Sequence, residues 1–333
     1  MSKTSFSTTC WTSAAASIML FLRLYPDHFS GARPDTVSRS VIPMIDLHIH
    51  TIASSDGQHT PQEIFRMAGA AGLTAIAFAD HNSVASVGEG VALAERCGIE
   101  FIPCIEFNSI YRELDLHVLA YFIDHASPRL TAWLQEIREE KKRQAGLRVR
   151  KLNELGFVFS LQDVEKFAAG REPTGISYLK AIISREENRG DERIQRFIDG
   201  DRSESPYLNF YRDYLRGGKP AFVPMRAVET FSVIQRIKAL GGIPVLAHPS
   251  ETGDEILIAL LEGGLAGLEV FSSYHSPAEE AHFLAIAREY NLVVTAGSDF
   301  HGGAVKPNVS LGGVRGNSYE LVEKLKEARV RGT

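Results

Sequence analysis

The chain has 333 residues, 44% hydrophobic and 23% charged, with a formal charge of −5 from 36 Lys and Arg against 41 Asp and Glu. That is enough apolar material for one large domain or two modest ones, and the acidic balance excludes an extended basic surface for long nucleic acid. Three cysteines without CxxC spacing (Cys10, Cys97 and Cys104) argue against a disulfide framework or a cysteine zinc site, and by default for a reducing, cytoplasmic compartment.

Residues 1–43 read differently from the rest. They open Ser/Thr-rich and carry one apolar patch at 18–24, broken by Arg23. The patch is shorter than the ~20 residues of a membrane span and lacks a clean cleavage site, so no membrane association is expected. The expectation is a disordered N-terminal extension, or a true start at Met44.

From residue 45, apolar runs alternate with helical patterns. A run at 45–47 precedes a helix at 61–71 closed by Gly72, and a run at 73–79 precedes a helix at 84–97 closed by Gly98. Runs follow at 99–105 and 114–122. Further on come a helix at 228–240, a run at 243–247, a helix at 255–262, a run at 267–271, a helix at 277–290, a run at 292–296 and a helix at 319–329. Strands buried on both faces and alternating with helices predict a parallel sheet, and this many repeats a closed barrel. Residues 127–218 break the rhythm with consecutive helical patterns. They are read as an inserted helical subdomain, the barrel being 44–126 and 219–333.

Chemistry gathers where the runs end. The first leads into His48 and His50, with Asp56 shortly after; the second into Asp80 and His81; the third into Glu106. His117 lies within the fourth, and His248, Glu269, Asp299 and His301 accompany the later ones. In parallel α/β barrels the C-terminal strand ends share one mouth. A single histidine beside a strand is ordinarily structural, whereas residues scattered at random would fall equally on helices and strand starts. His48 and His50, two apart, share one face of an extended strand and can grip one ion. Imidazole with carboxylate suits zinc, manganese or iron, and so many donors predict two or three divalent ions. Such centres clamp phosphoryl oxygens and generate hydroxide near neutral pH.

Asp46-Leu47-His48-Ile49-His50-Thr51, Ser55-Asp56-Gly57, Ala79-Asp80-His81-Asn82, Glu106, His117, Ala247-His248-Pro249 and Gly297-Ser298-Asp299-Phe300-His301-Gly302 together resemble the motif set of the PHP (polymerase and histidinol phosphatase) metallohydrolases. The resemblance implies a distorted (β/α)7 TIM-like barrel with a trinuclear centre. One metal would take His48, His50, Glu106 and Asp299, the second Asp56, His81 and His301, and the third His117 and His248, with Glu106 bridging. Asp80 would orient a ligand or cap a helix. The stretches at 217–224 and 239–249 are similar to a branch with a helical insert that acts on nucleoside 3′,5′-bisphosphates or trims short RNA from its 5′ end. That branch tends to carry Arg-Pro-His in the insert, where this chain has Arg171-Glu172-Pro173.

The expected function is therefore hydrolysis of a small phosphorylated substrate, a nucleotide or short RNA, by attack of a metal-bridging water. Glu106 and Asp299 would hold that water, and His301 or His248 would protonate the leaving group. Residues 127–156 carry eight Lys/Arg against four Glu. From the insert, Arg143, Arg148, Arg171 and Lys180 are candidates for a second phosphate, against the alternative of a solvated helix face. His275 is either a substrate contact or a structural hydrogen-bonding residue. Rival readings are a histidinol-phosphate phosphatase and a non-catalytic, metal-stabilised module.

Overall fold

In the computed structural model, which describes residues 44–225 and 227–332, the apolar runs form strands and the amphipathic patterns helices near the expected positions. The reading of residues 1–43 lies outside the described residues. β1 (Met44–Ile49), β2 (Leu73–Phe78) and β3 (Glu100–Phe101) make a parallel three-stranded sheet in that order. β4 (Glu106–Tyr111), β5 (Leu114–Tyr121), β6 (Ile243–Leu246), β7 (Gly267–Ser272) and β8 (Val293–Gly297) make a second sheet, also in sequence order.

Helices α1 (Pro61–Ala70) and α2 (Val87–Cys97) link the strands of the first sheet. After β5 come α3 (Pro128–Glu154), α4 (Leu161–Ala168), α5 (Gly175–Ile183), α6 (Glu192–Ile198) and α7 (Pro206–Phe210). Then α8 (Thr230–Ala239) precedes β6, α9 (Asp254–Glu262) and α10 (Pro277–Glu289) separate the last strands, and α11 (Glu320–Gly332) follows them. The start of α1 is sharply set: Thr60 and Glu63 form a reciprocal capping box and Pro61 occupies the first turn. None of the helices in the described residues is long and apolar enough to cross a membrane.

The strands are not all parallel, as the alternation predicted. β5 runs antiparallel to both β4 and β6, while β6, β7 and β8 are parallel. Only Arg112 and Glu113 separate β4 from β5, and a parallel pair needs a crossover of ~12 residues or more. Arg112 turns the chain with a φ of 58°. The apolar-run pattern does not mark residues 106–111 as a strand of their own. Isolated parallel bridges join the two sheets, Ile49 to Phe300 and His81 to Glu106.

The sheets share buried side chains: Ile45, Leu47 and Ala77 of the first pack with Leu119, Tyr121 and Val245 of the second, and with Leu325 of α11. A second buried group joins Phe107, Val118, Leu246 and Leu268 to Trp133 and Ile137 of α3 and to Ile234 of α8. Trp133 stacks on Phe107 with ring centres 4.1 Å apart. Aromatic burial of this kind contributes ~1.5–3 kcal/mol per side chain. Helices α3 to α7 bury a further group of their own, among them Leu152, Phe157, Tyr178, Phe197 and Phe210. Buried packing thus joins the strands to one another, and α3 ties the helical segment to them.

Candidate metal centre

The polar residues at the strand ends converge on Glu106, which is 1% exposed. Its Oε1 lies 2.9 Å from His117 Nδ1, 3.4 Å from His48 Nε2 and 3.4 Å from His248 Nε2. Its Oε2 lies 2.9 Å from His81 Nδ1 and 3.2 Å from His50 Nε2. Asp299 Oδ1 lies 3.2 Å from His50 Nε2 and 3.3 Å from His301 Nδ1. Asp56 Oδ2 stands 3.6 Å from His81 Nε2 and 3.5 Å from His301 Nε2. The nine residues assigned to metals by resemblance are thus brought together. Three overlapping groups have ligand atoms within 4.8 Å of one another: His48, His50 and Asp299; His50, Asp56, His81 and His301; and His81, Glu106 and His117.

Three imidazoles are held through Nδ1. His48 Nδ1 is 2.9 Å from Glu269 Oε1, His50 Nδ1 is 3.2 Å from Ser54 Oγ, and His301 Nδ1 is 2.9 Å from the Asp299 carbonyl. With Nδ1–H donated in each case, Nε2 keeps its lone pair for the centre. Ser54 Oγ in turn donates to Asp56 Oδ1 at 2.7 Å. Beneath them, Asp46 accepts from Ser298 N and Oγ at 2.9 and 2.6 Å, tying β1 to the end of β8. Asp80 makes the matching bond on the other side: it accepts from Thr51 N and Oγ1 at 2.6 and 2.8 Å and from the Ser86 hydroxyl just before α2. Gly297 permits this closeness, since a Cβ there would fall 2.2 Å from His48 Cβ.

The electrostatics are those of a site built for cations. Burial opposes ionisation of Asp299, yet Lys306, His301 and His48 hold its carboxyl well below the usual range. Glu106 is likewise buried and held well below it by His117, His81 and His48. Burial pulls His50 down to about 4, with His301 adding to the effect. His81, despite its burial, is raised to about 9 by Glu106 and Asp56.

The hydrogen bonding falls short of what these groups need. His48 Nε2 and His50 Nε2 face each other at 3.1 Å, and His81 Nδ1 and Glu106 Oε2 are buried without an aligned hydrogen bond. Buried polar atoms without partners are costly unless something else satisfies them, and nitrogen–oxygen donor sets of this kind fit manganese, zinc or iron. Two of the donors also bear backbone strain: His248 sits at φ 29° and Asp299 at φ 56°. Such conformations cost ~1–3 kcal/mol each and persist where the surroundings over-determine them.

Of the five substrate candidates, Arg171 reaches this region, donating to the Ser54 carbonyl at 3.3 Å. Its neighbour Glu172 lies 3.4 Å from Asn82 Nδ2 and from Lys141 Nζ. The others are engaged elsewhere. Arg143 lines a cavity with Glu136, Glu140 and Arg236. Arg148 is buried among the helices and donates to the Leu215 carbonyl at 3.4 Å. Lys180 lies over the Tyr207 ring. His275 is 6% exposed, with Nδ1 2.7 Å from the Val270 carbonyl.

The sequence singles out Glu269 among the metal-ligand residue types without assigning it to a metal, and it gives no role to Ser54, Tyr274 or Lys306. Glu269 holds His48 and also accepts from His248 N at 3.0 Å. The available signal was an acidic residue inside an otherwise apolar strand, β7, where it is fully buried. Tyr274 and Lys306 both reach Asp299 from loops, where periodicity carries no information.

Comparison with known proteins agrees with this geometry. Residues 46–217 match the PHP domain family. The chain is 28% identical to a 5′-3′ exoribonuclease of Haemophilus influenzae, over 77% of this chain and 89% of that protein. It is 27% identical to an Eggerthella lenta phosphoribosyl 1,2-cyclic phosphate 1,2-diphosphodiesterase, over 77% and 94%. It is also 27% identical to a Chromobacterium violaceum 3′,5′-nucleoside bisphosphate phosphatase, over 77% and 87%. Among solved structures, a Chromobacterium violaceum amidohydrolase with bound sulfate superposes with a TM-score of 0.68 at 26% identity, over 86% of this chain and 96% of that one. With more than half of its length matched and its donors gathered at one buried centre, the chain belongs to the PHP domain family, as a hydrolase of phosphoric esters.

Proposed function

We propose that this chain hydrolyses a nucleotide, either a nucleoside 3′,5′-bisphosphate or a short 5′-phosphorylated oligonucleotide, at a centre of two or three manganese, zinc or iron ions. The observation that carries the reading is the gathering of six imidazoles and three carboxylates around Glu106. We read the two bridged sheets as one distorted (β/α)7 barrel, with residues 127–218 inserted as the part that meets the substrate. His48, His50, Glu106 and Asp299 would hold one ion, Asp56, His81 and His301 a second, and His117 and His248 a third with Glu106. Divalent ions there would supply Lewis-acid charge to the phosphoryl group and activate water.

The chain's own residues do the rest. Glu269, Ser54 and the Asp299 carbonyl fix the imidazoles, so the centre needs no rearrangement when substrate arrives. The His248 side chain is 22% exposed and borders the solvent side, so where it is not taken up as a ligand its Nε2 would hand a proton to a departing ribose oxygen, with His301 the deeper alternative under the same condition. Arg171, whose guanidinium donates to the Ser54 carbonyl beside Asp56, would hold a second phosphate. The relatives support a nucleotide substrate, since two of the three act on RNA or on a nucleoside bisphosphate by name.

The test is phosphate release from a panel loaded with manganese: a nucleoside 3′,5′-bisphosphate, 5′-phosphorylated oligonucleotides, a phosphoribosyl cyclic phosphate and histidinol phosphate. The nucleotides should be turned over fastest. Equal or faster hydrolysis of histidinol phosphate rejects the nucleotide assignment. No turnover of any ester favours the non-catalytic module. Asp299→Ala should abolish hydrolysis while the protein stays folded, because it removes a donor and not core packing.

A further inference from the structure

Asp299 divides its carboxylate between two surroundings. Oδ1 meets the imidazoles of His48, His50 and His301 at 3.5, 3.2 and 3.3 Å. Oδ2 accepts a 2.8 Å hydrogen bond from the Tyr274 hydroxyl and is contacted by the Lys306 ammonium. Lys306 Nζ also reaches the Asp299 carbonyl at 3.4 Å and lies 5.1 Å from the centre of the Tyr274 ring. That ring packs edge-on against His248, with centres 5.4 Å apart. The two side chains stand between the donors and solvent: Tyr274 is 46% exposed, and the side chains of Lys306 and Asp299 are 23% and 5% exposed.

The placement of Lys306 is built into the fold. Its N–H donates to the Gly302 carbonyl at 2.9 Å, and Ala304 N donates to Gln58 Oε1 at 2.9 Å, which ties this loop to the one bearing Asp56. Gly302 turns at φ 101°, where a Cβ would fall 2.3 Å from that same Gln58 oxygen. An ammonium has three donors, and Asp299 accounts for two of them. Among the described residues the third meets no other hydrogen-bond acceptor, and it lies at the rim of a centre lined largely by imidazoles and carboxylates.

We propose that Lys306 is a phosphoryl-binding residue of this active site, donating to an anionic oxygen of the bound ester and of the released phosphate while Tyr274 keeps its place on Asp299. The inference rests on the phosphoesterase assignment and not on which nucleotide is the substrate. A purely structural role is the alternative: a cation that only steadies Asp299.

Binding of inorganic phosphate to the metal-loaded protein, measured by calorimetry alongside metal content, separates the two. Lys306→Met should keep the wild-type metal complement and weaken phosphate binding about 30-fold, which is ~2 kcal/mol at 1.4 kcal/mol per factor of ten. Lys306→Arg should recover most of the loss. Lys306→Gln, which keeps an amide donor toward Asp299 without the charge, should lose as much as the methionine variant, and it serves if the latter does not fold. Metal loss in these variants with unchanged phosphate affinity after reloading overturns the proposal, as does wild-type phosphate affinity throughout. If the wild type hydrolyses no nucleotide yet Lys306→Met still loses phosphate, the substrate assignment fails and this inference stands.

Discussion

Replacing Glu269 with glutamine isolates what one buried oxygen does for the centre. Glu269 is fully buried and accepts two bonds, from His48 Nδ1 at 2.9 Å and from His248 N at 3.0 Å. Both partners are donors as long as His48 presents Nε2 to the metals. A carboxylate can accept from both, whereas an amide offers one oxygen and one NH2. Either the His248 N–H then faces a second donor, or His48 swaps its proton to Nε2 and stops being a ligand. Leaving one buried donor unpaired costs ~1–3 kcal/mol. Removing the outer partner of a ligating histidine lowers metal affinity about 10- to 100-fold, which is ~1.4–2.8 kcal/mol. Competition titration of manganese or zinc against a chromophoric chelator should show a loss in that range for Glu269→Gln, with melting temperature falling more in the presence of metal than after chelation. Affinity within about threefold of wild type and unchanged melting would refute the argument.

Two further outcomes follow from the packing and the charges. Gly297→Ala forces a Cβ to 2.2 Å from His48 Cβ and 2.5 Å from Glu269 Oε1. We expect a stability loss of ~1–3 kcal/mol in chemical denaturation, with weaker metal binding; a fully stable variant would contradict the close approach of β8 to β1. His81 is raised to about 9 chiefly by Glu106 and Asp56, against its burial. Because protonation of His81 is favoured in the folded chain, its stabilising contribution after chelation is complete below about 6.5 and fades as pH rises through about 9. Metal uptake must expel that proton, so metal affinity should climb from pH 6.5 to 9 and His81→Gln should flatten the climb; a flat wild-type profile would reject the assignment.

The centre was more legible than the fold around it. His48, His50, His81, His248 and Asp299 follow apolar runs, and a strand that ends at a shared mouth delivers whatever comes next in sequence. That logic needs only local pattern. The β4–β5 reversal leaves little mark in sequence because residues 106–111 are half polar and follow the run at 99–105 without a break, and the Arg112-Glu113 turn has no glycine, asparagine or proline. Arg143, Arg148 and Lys180 rest on charge in the insert, whereas Arg171 also stands at the stretch compared with the branch's Arg-Pro-His. Charge does not say which way a helix faces: Arg148 turned inward to the Leu215 carbonyl, while Arg171, two residues from a proline, reached Ser54. Lys306 and Tyr274 act through tertiary contacts with Asp299, which no spacing rule reports.

The bridge between Ile49 and Phe300 joins segments some 250 residues apart in the chain, and Asp46 reaches Ser298 across the same gap. During translation, at ~5–20 residues per second, the early histidines therefore emerge well before the aspartate and histidine that complete their surroundings. Until then the nascent chain carries His48, His50, Asp56 and His81 without Asp299 and His301. Closure of the centre therefore waits on the final strand, and a chain cut short before residue 297 keeps the donors of the first strands while lacking Asp299 and His301.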